Sequence, residues 1–280
     1  MSAASERWQI VLDVAARSSY SGLEGKPRAC VLVRASRKCD VRKPRSPPGW
    51  GDDELTKFWD AARSNQLGTF VRKKPVFNPL VNIDRQFVEI SKRWTNPQNE
   101  LAALLFLRCH SALRTAAGHA AAGQAAESYV MCRSALEFAA YALHISRNPA
   151  LGAVWLNRHD DPKSLEAAKN AFSHRKVAAT VVAVNKHAGE RFDELYQRTI
   201  DFGGHPNERS VTSNMSMIKE PGRRTMMIVF LHEDGPALDA ALKNAAQCGL
   251  CSLEILQGVF NALFELLGVN AQMLELRKGL

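Results

Sequence analysis

From Pro79 to the last residues, apolar side chains recur every three or four positions, the spacing of amphipathic helices rather than strands. That pattern predicts a helix over 80–94, ended by Asn96-Pro97. A second begins at Pro97 and carries Leu101, Leu104, Leu105 and Ala112, with a turn expected in the small-residue stretch 116–123, which holds two glycines. A third covers 125–147 and stops before Pro149. A short helical turn at 151–157 follows. Asp161-Pro162 starts a long helical stretch through Phe202, broken near Ser173 or Gly189. Pro236 opens the longest regular pattern, through Leu238, Leu242, Ala245, Leu253, Leu256, Phe260, Leu263 and Leu267. Gly268 ends it, and a last short helix covers 271–278.

Two stretches break the helical rhythm. Residues 210–218 and 225–232 flank Glu220-Pro221-Gly222-Arg223, and Met226 to Leu231 is a continuous apolar run, so a small β-hairpin is predicted at about 210–232. Upstream, Trp8, Val11, Leu12 and Ala15 share one face of a short helix over 3–17, and 29–33 suits a strand with no evident partner. Residues 34–50 are rich in Arg, Lys and Pro, including Pro44, Pro47 and Pro48. They read as a loop or disordered segment, because they hold too little apolar surface to offset ordering. Asp52-Asp53-Glu54 opens a short helix through Arg63, with acids where the helix dipole favours them. Arg72-Lys73-Lys74-Pro75 reads as a linker. The expected organisation is a basic N-terminal segment, 1–78, and an all-α helical bundle with a hairpin insertion, 79–280.

Composition sharpens this. The 280 residues are 46% hydrophobic, enough for a sizeable core. No uninterrupted apolar run reaches bilayer length, and the N-terminus lacks the order of a signal peptide, so the expectation is a soluble, cytoplasmic protein with no membrane association. The net charge of +9 is uneven. Residues 1–75 hold 15 Lys/Arg against 8 Asp/Glu, and the remainder 22 against 20. The excess is a solvated arm or an electrostatic contact to nucleic acid. Cys248-Gly-Leu-Cys251 has CxxC spacing, but it sits in a helical pattern with no second CxxC, and the cysteines read as small buried apolar residues.

Candidate chemistry gathers in two places. On the helix over 125–147, Tyr129, Arg133, Glu137 and His144 fall on one stripe about 80° wide, while the other sides are apolar. The stripe faces either water or a polar cleft carrying a phenol, a cation, an acid and an imidazole. The second place is Tyr196-Gln197-Arg198-Thr199-Ile200-Asp201-Phe202-Gly203-Gly204-His205-Pro206-Asn207. The paired glycine predicts a turn, and Pro206 restricts His205 to extended backbone. His205 then either plugs the bundle through hydrogen bonds or works near neutrality as acid, base or ligand. Asn207 is a ligand contact or a plain N-cap. Glu190, Asp193 and Glu194 read as a solvated helix face, and no metal or cofactor motif is present.

These two stretches resemble the HEPN-like group of bacterial all-α proteins, which carry an Arg-x-x-x-Glu helix followed by a Tyr…His-Pro element: here Arg133 and Glu137, then Tyr196, His205 and Pro206. The resemblance implies a helical bundle over roughly 95–270 and a ligand-binding set of Tyr129, Arg133, Glu137, His144, Tyr196 and Asn207. Some HEPN families are metal-independent ribonucleases using an arginine, then four to six residues, then a histidine; Arg198 with His205 fits the longest of those spacings and Arg114 with His119 the shortest. Three functions follow. The first is a non-catalytic module binding a nucleotide, nucleic acid or partner protein. The second is a ribonuclease of a toxin or defence system, with His205 as acid or base and Arg198 or Arg133 on the phosphate. The third is a homodimeric structural protein with residues 253–267 partly in the interface.

Overall fold

The centre of the molecule is a trio of helices, α3 (Glu100–Ala122), α4 (Ala125–Arg147) and α10 (Pro236–Leu266). The computed structural model describes residues 46–94, 99–220 and 223–280, with the backbone of Trp8–Val11 and Leu32–Ala35. α3 and α4 pack closely on each other, with the Ser128 hydroxyl donating to the Ala116 carbonyl, and both bury many small residues, among them Ala112, Ala116 and Ala120 on one and Ala135, Ala139 and Ala140 on the other. Phe87, Phe106, Leu136, Leu143 and Leu253 fill the remaining core. Trp94, Phe106 and Phe260 pack as tilted and edge-on rings, at 4.7 Å for Trp94–Phe106 and 5.9 Å for Phe106–Phe260. Phe260 also marks the one backbone kink in α10, at φ −118 and ψ 34.

Around the trio lie α1 (Glu54–Arg72), α2 (Lys74–Lys92), α5 (Ala150–Leu156), α6 (Pro162–Ala171), α7 (His174–Val184), α8 (Lys186–Thr199), α9 (Glu208–Thr212) and α11 (Val269–Arg277). The fold is all-α, and the helix ends follow local chemistry. Asp53, Asn99, Asp161 and Asn185 each accept a hydrogen bond from a backbone N–H of the first turn, and Gly123 and Gly268 close helices in the left-handed region. α1 reaches past the expected Arg63. Its Asn65, Gln66 and Thr69 side chains donate to Ala122, Gly118 and Ala121 carbonyls at 2.9–3.0 Å, satisfying the end of α3.

Several expectations are corrected. Arg72-Lys73-Lys74-Pro75 is a tight helix-to-helix junction, with Lys73 paired to Asp234 at 2.5 Å and Asp239 at 3.0 Å. The expected division at residue 78 falls inside α2. The turn sought over 116–123 is confined to Gly123, because Gly118 is tolerated inside α3. The stretch after Pro162 breaks at Ser173 and at Asn185, whose side chain caps α8, and not at Gly189. Residues 208–212 are helix, and β3 (Met215–Glu220) pairs antiparallel with β4 (Arg223–Ile228), Met217 facing Met226. Trp8–Val11 (β1) is extended rather than helical and pairs antiparallel with Leu32–Ala35 (β2), supplying the partner that the sequence did not show. The Asn96-Pro97 break, the Pro221-Gly222 turn and most of 34–50 lie outside the described residues. Finally, α10 is long and apolar enough to cross a membrane, with mean hydropathy 1.2 in its most apolar stretch, although uninterrupted runs gave no such sign; half of that stretch is buried in the core.

Candidate functional site

Arg133 and Glu137 stand one turn apart on α4, and Tyr196 reaches them from α8. The Arg133 Nε–H donates to Glu137 Oε1 at 2.9 Å, an Arg133 terminal N–H donates to the Tyr196 oxygen at 2.9 Å, and the Tyr196 hydroxyl donates to Glu137 Oε1 at 3.1 Å. The guanidinium carbon also lies 5.0 Å from the Tyr196 ring centre. The three groups form a closed triangle in which every charge has a partner. Burial opposes the charge on Arg133, but the bond to Glu137 and the nearby phenol outweigh it and raise its pKa. Burial, then the Glu137 carboxylate, pushes the Tyr196 phenol up, so it stays a donor at neutral pH. Arg133 and Glu137 keep 30% and 37% side-chain exposure, so the triangle is open to a ligand from one side.

An imidazole does join this group, but it is His174. The break at Ser173 starts α7 with His174, whose ring lies on Tyr196 with centres 4.1 Å apart and planes at 20°. Its Nε2 is 3.0 Å from Asp193 Oδ1 on α8. Asp193 and Tyr196 are three residues apart, so one helix face presents both an acid for the imidazole edge and a ring for its face. The i, i+3 spacing was visible in the sequence. The arrival of His174 from another helix was not.

The remaining candidates are placed elsewhere. His205 is exposed, in extended backbone at φ −143 and ψ 139, and no hydrogen bond or ion pair joins it to Arg133, Glu137 or Arg198. The chain does not turn at the glycines; Gly203 and Gly204 lie in a π-helical turn, Ile200–Gly204, that extends α8. Gly203 is needed because an added Cβ would sit 2.3 Å from the Ala126 carbonyl oxygen and 2.9 Å from Tyr129 Cβ. Tyr129 packs beneath this turn against Phe202, and burial pushes its phenol up to about 12. His144 has a structural role: its Nε2–H donates to the Ala171 carbonyl at the end of α6, and Nδ1 meets Thr180 Oγ1 at 2.7 Å. Burial lowers its pKa. Asn207 is the N-cap of α9, in a reciprocal pair with Ser210.

Arg198 turns away from the triangle to Gln247 at 2.7 Å and Glu194 at 2.5 Å. Arg114 binds Asp84 through two N–H groups, while His119 meets Gln124, so that spacing does not form a pair either. His110, stacked on Phe87, also meets Asp84 at 2.6 Å. Cys248 and Cys251 are buried free thiols on α10; contact with Cys132 and burial raise the first, and burial raises the second. Of the stretch 253–267, Leu253 and Leu256 are buried within the chain's own core, whereas Asn261, Ala262, Glu265 and Leu266 are exposed.

The chain matches no known family model, no curated protein and no solved structure.

Proposed function

We propose that this chain is a non-catalytic, HEPN-like helical module that binds RNA or a nucleotide on the patch formed by Arg133, Glu137, Tyr196 and His174. One observation carries the reading. His174 lies flat on Tyr196, is fixed at its edge by Asp193, and still keeps 41% side-chain exposure beside a partly exposed arginine. A supported aromatic face next to a guanidinium suits an unstacked base and its phosphate. The expected arginine–histidine catalytic pair, Arg198 with His205, makes no contact, which favours binding over cleavage.

The test is titration of a fluorescent single-stranded RNA, with adenosine 5′-monophosphate as a second probe. His174→Ala should weaken RNA by about 1–3 kcal/mol, the usual loss for one stacked base. Arg133→Gln should weaken it and flatten its salt dependence. Purified protein that retains neither probe, or that is indifferent to His174→Ala, would overturn the reading.

The ribonuclease reading keeps one observation in its favour: an imidazole oriented by a carboxylate, His174 with Asp193, beside a cation. It predicts RNA decay on expression that His174→Ala abolishes and His205→Ala leaves untouched. Intact RNA with the wild-type chain would eliminate it.

A further inference from the structure

A second candidate site lies on another side of α8. Arg191 and Arg198 are seven residues apart, so they share a face, while Tyr196 projects about 140° away. Arg277 joins them from α11. With Glu194 and Gln247, and with the apolar side chains of Leu195, Leu250, Cys251 and Leu280 between them, they line a recess of about 230 Å³ between α8, α10 and α11. Glu254 on α10 accounts for part of this charge. Its carboxylate has no solvent exposure and accepts from Arg191 and, at 2.6 Å, from the Arg277 Nε–H. One arginine would neutralise that acid; the second exceeds the need. The terminal nitrogens of Arg277 have no protein acceptor among the described residues. Arg198 is held by Gln247 and by Glu194, a carboxylate with 67% exposure that is easily displaced. The recess therefore presents three guanidiniums against two side-chain carboxylates, one of them already committed inside the core, and its lining also holds Leu280, whose oxygen accepts from the Gln247 amide at 2.9 Å.

We propose that this recess binds a phosphate dianion, free or as a monoester. Guanidinium forks match phosphate oxygens in pairs, and three of them from two helices can surround one such group. The volume falls below the ~300–1,000 Å³ of sites for drug-sized ligands, which favours a small anionic head. The site stands apart from the His174 patch and does not depend on its function.

Orthophosphate is the probe, titrated calorimetrically and by thermal shift against chloride at equal ionic strength, with adenosine 5′-monophosphate and unphosphorylated adenosine as further arms. Orthophosphate should raise the Tm of the wild-type chain, and adenosine should not. Arg198→Gln, which leaves Glu254 paired, should weaken orthophosphate about tenfold or more. Glu194→Gln, which removes the competing carboxylate, should tighten it. Tighter binding of the monophosphate than of orthophosphate, kept in His174→Ala and lost in Arg198→Gln, identifies a monoester as the ligand of the recess; binding of the monophosphate no tighter than orthophosphate identifies the free ion. Circular dichroism confirms that each variant is folded. No phosphate-specific shift in the wild type, or unchanged affinity in Arg198→Gln, overturns the proposal.

Discussion

Glu254 shows how far one residue's cost depends on which partner is removed. The acid is fully buried, whereas Arg191 and Arg277 keep 38% and 40% side-chain exposure. Removing both arginines strands a charge in the core; removing the acid leaves two cations that water can reach. Arg191→Met with Arg277→Met should therefore cost about 3–5 kcal/mol in urea unfolding, and Glu254→Met distinctly less. An equal loss would contradict the burial asymmetry. Tyr196→Phe should cost only about 1 kcal/mol, because Arg133 and Glu137 keep their own bond. At this scale the sequence showed part of the candidate site. Arg133 and Glu137 were legible as an i, i+4 pair, and Tyr196 stood in the second marked stretch. Glu254 was not legible, since an acid inside a helical pattern looks the same whether it faces water or two arginines.

At the scale of elements, helix starts were readable because capping is local: Asp53, Asp161 and Pro236 act within one turn of where they stand. Breaks that depend on a neighbour were not. Gly189 stays inside α8, where an added Cβ would meet Val182, and Gly203 is required by the approach of α4 rather than by a turn. Gly203→Ala should destabilise by about 1–3 kcal/mol through overpacking against Ala126 and Tyr129. Gly123→Ala should cost more. It adds strain at φ +83 to a contact of 2.2 Å with the His232 carbonyl oxygen, and it would disturb the hydrogen bond from the His232 N–H to the Gly123 carbonyl. Denaturant midpoints of the two variants, measured side by side, check both the size and the order.

For the whole molecule, buried titratable groups tie stability to pH. Burial lowers the pKa of His110 and of His144 from 6.5. Burial alone would raise Asp84, but its bonds to His110 and Arg114 hold it far below 3.8. For all three the unfolded chain takes up protons more readily than the folded one. The histidine contribution is fully present above pH 6.5 and is lost as pH falls through the lowered values, and the Asp84 contribution is lost below 3.8. Tm should be level from pH 8 to about 6.5 and then decline toward pH 5. His144→Gln should flatten that decline, since His144 has no carboxylate partner to offset its charging. A decline as steep as in the wild type would assign it to other groups.

The sequence by itself determined the helical class, most helix ends and the apolar faces, because periodicity, caps and proline act over a few residues. It also marked Arg133, Glu137 and Tyr196. Only the tertiary structure decided that His174 and not His205 stacks beside them, that Arg198 faces Arg277 across a recess, and that Glu254 is buried. Each of those depends on which helix lies against which, and that is set by the packing of α3, α4 and α10 rather than by any local spacing.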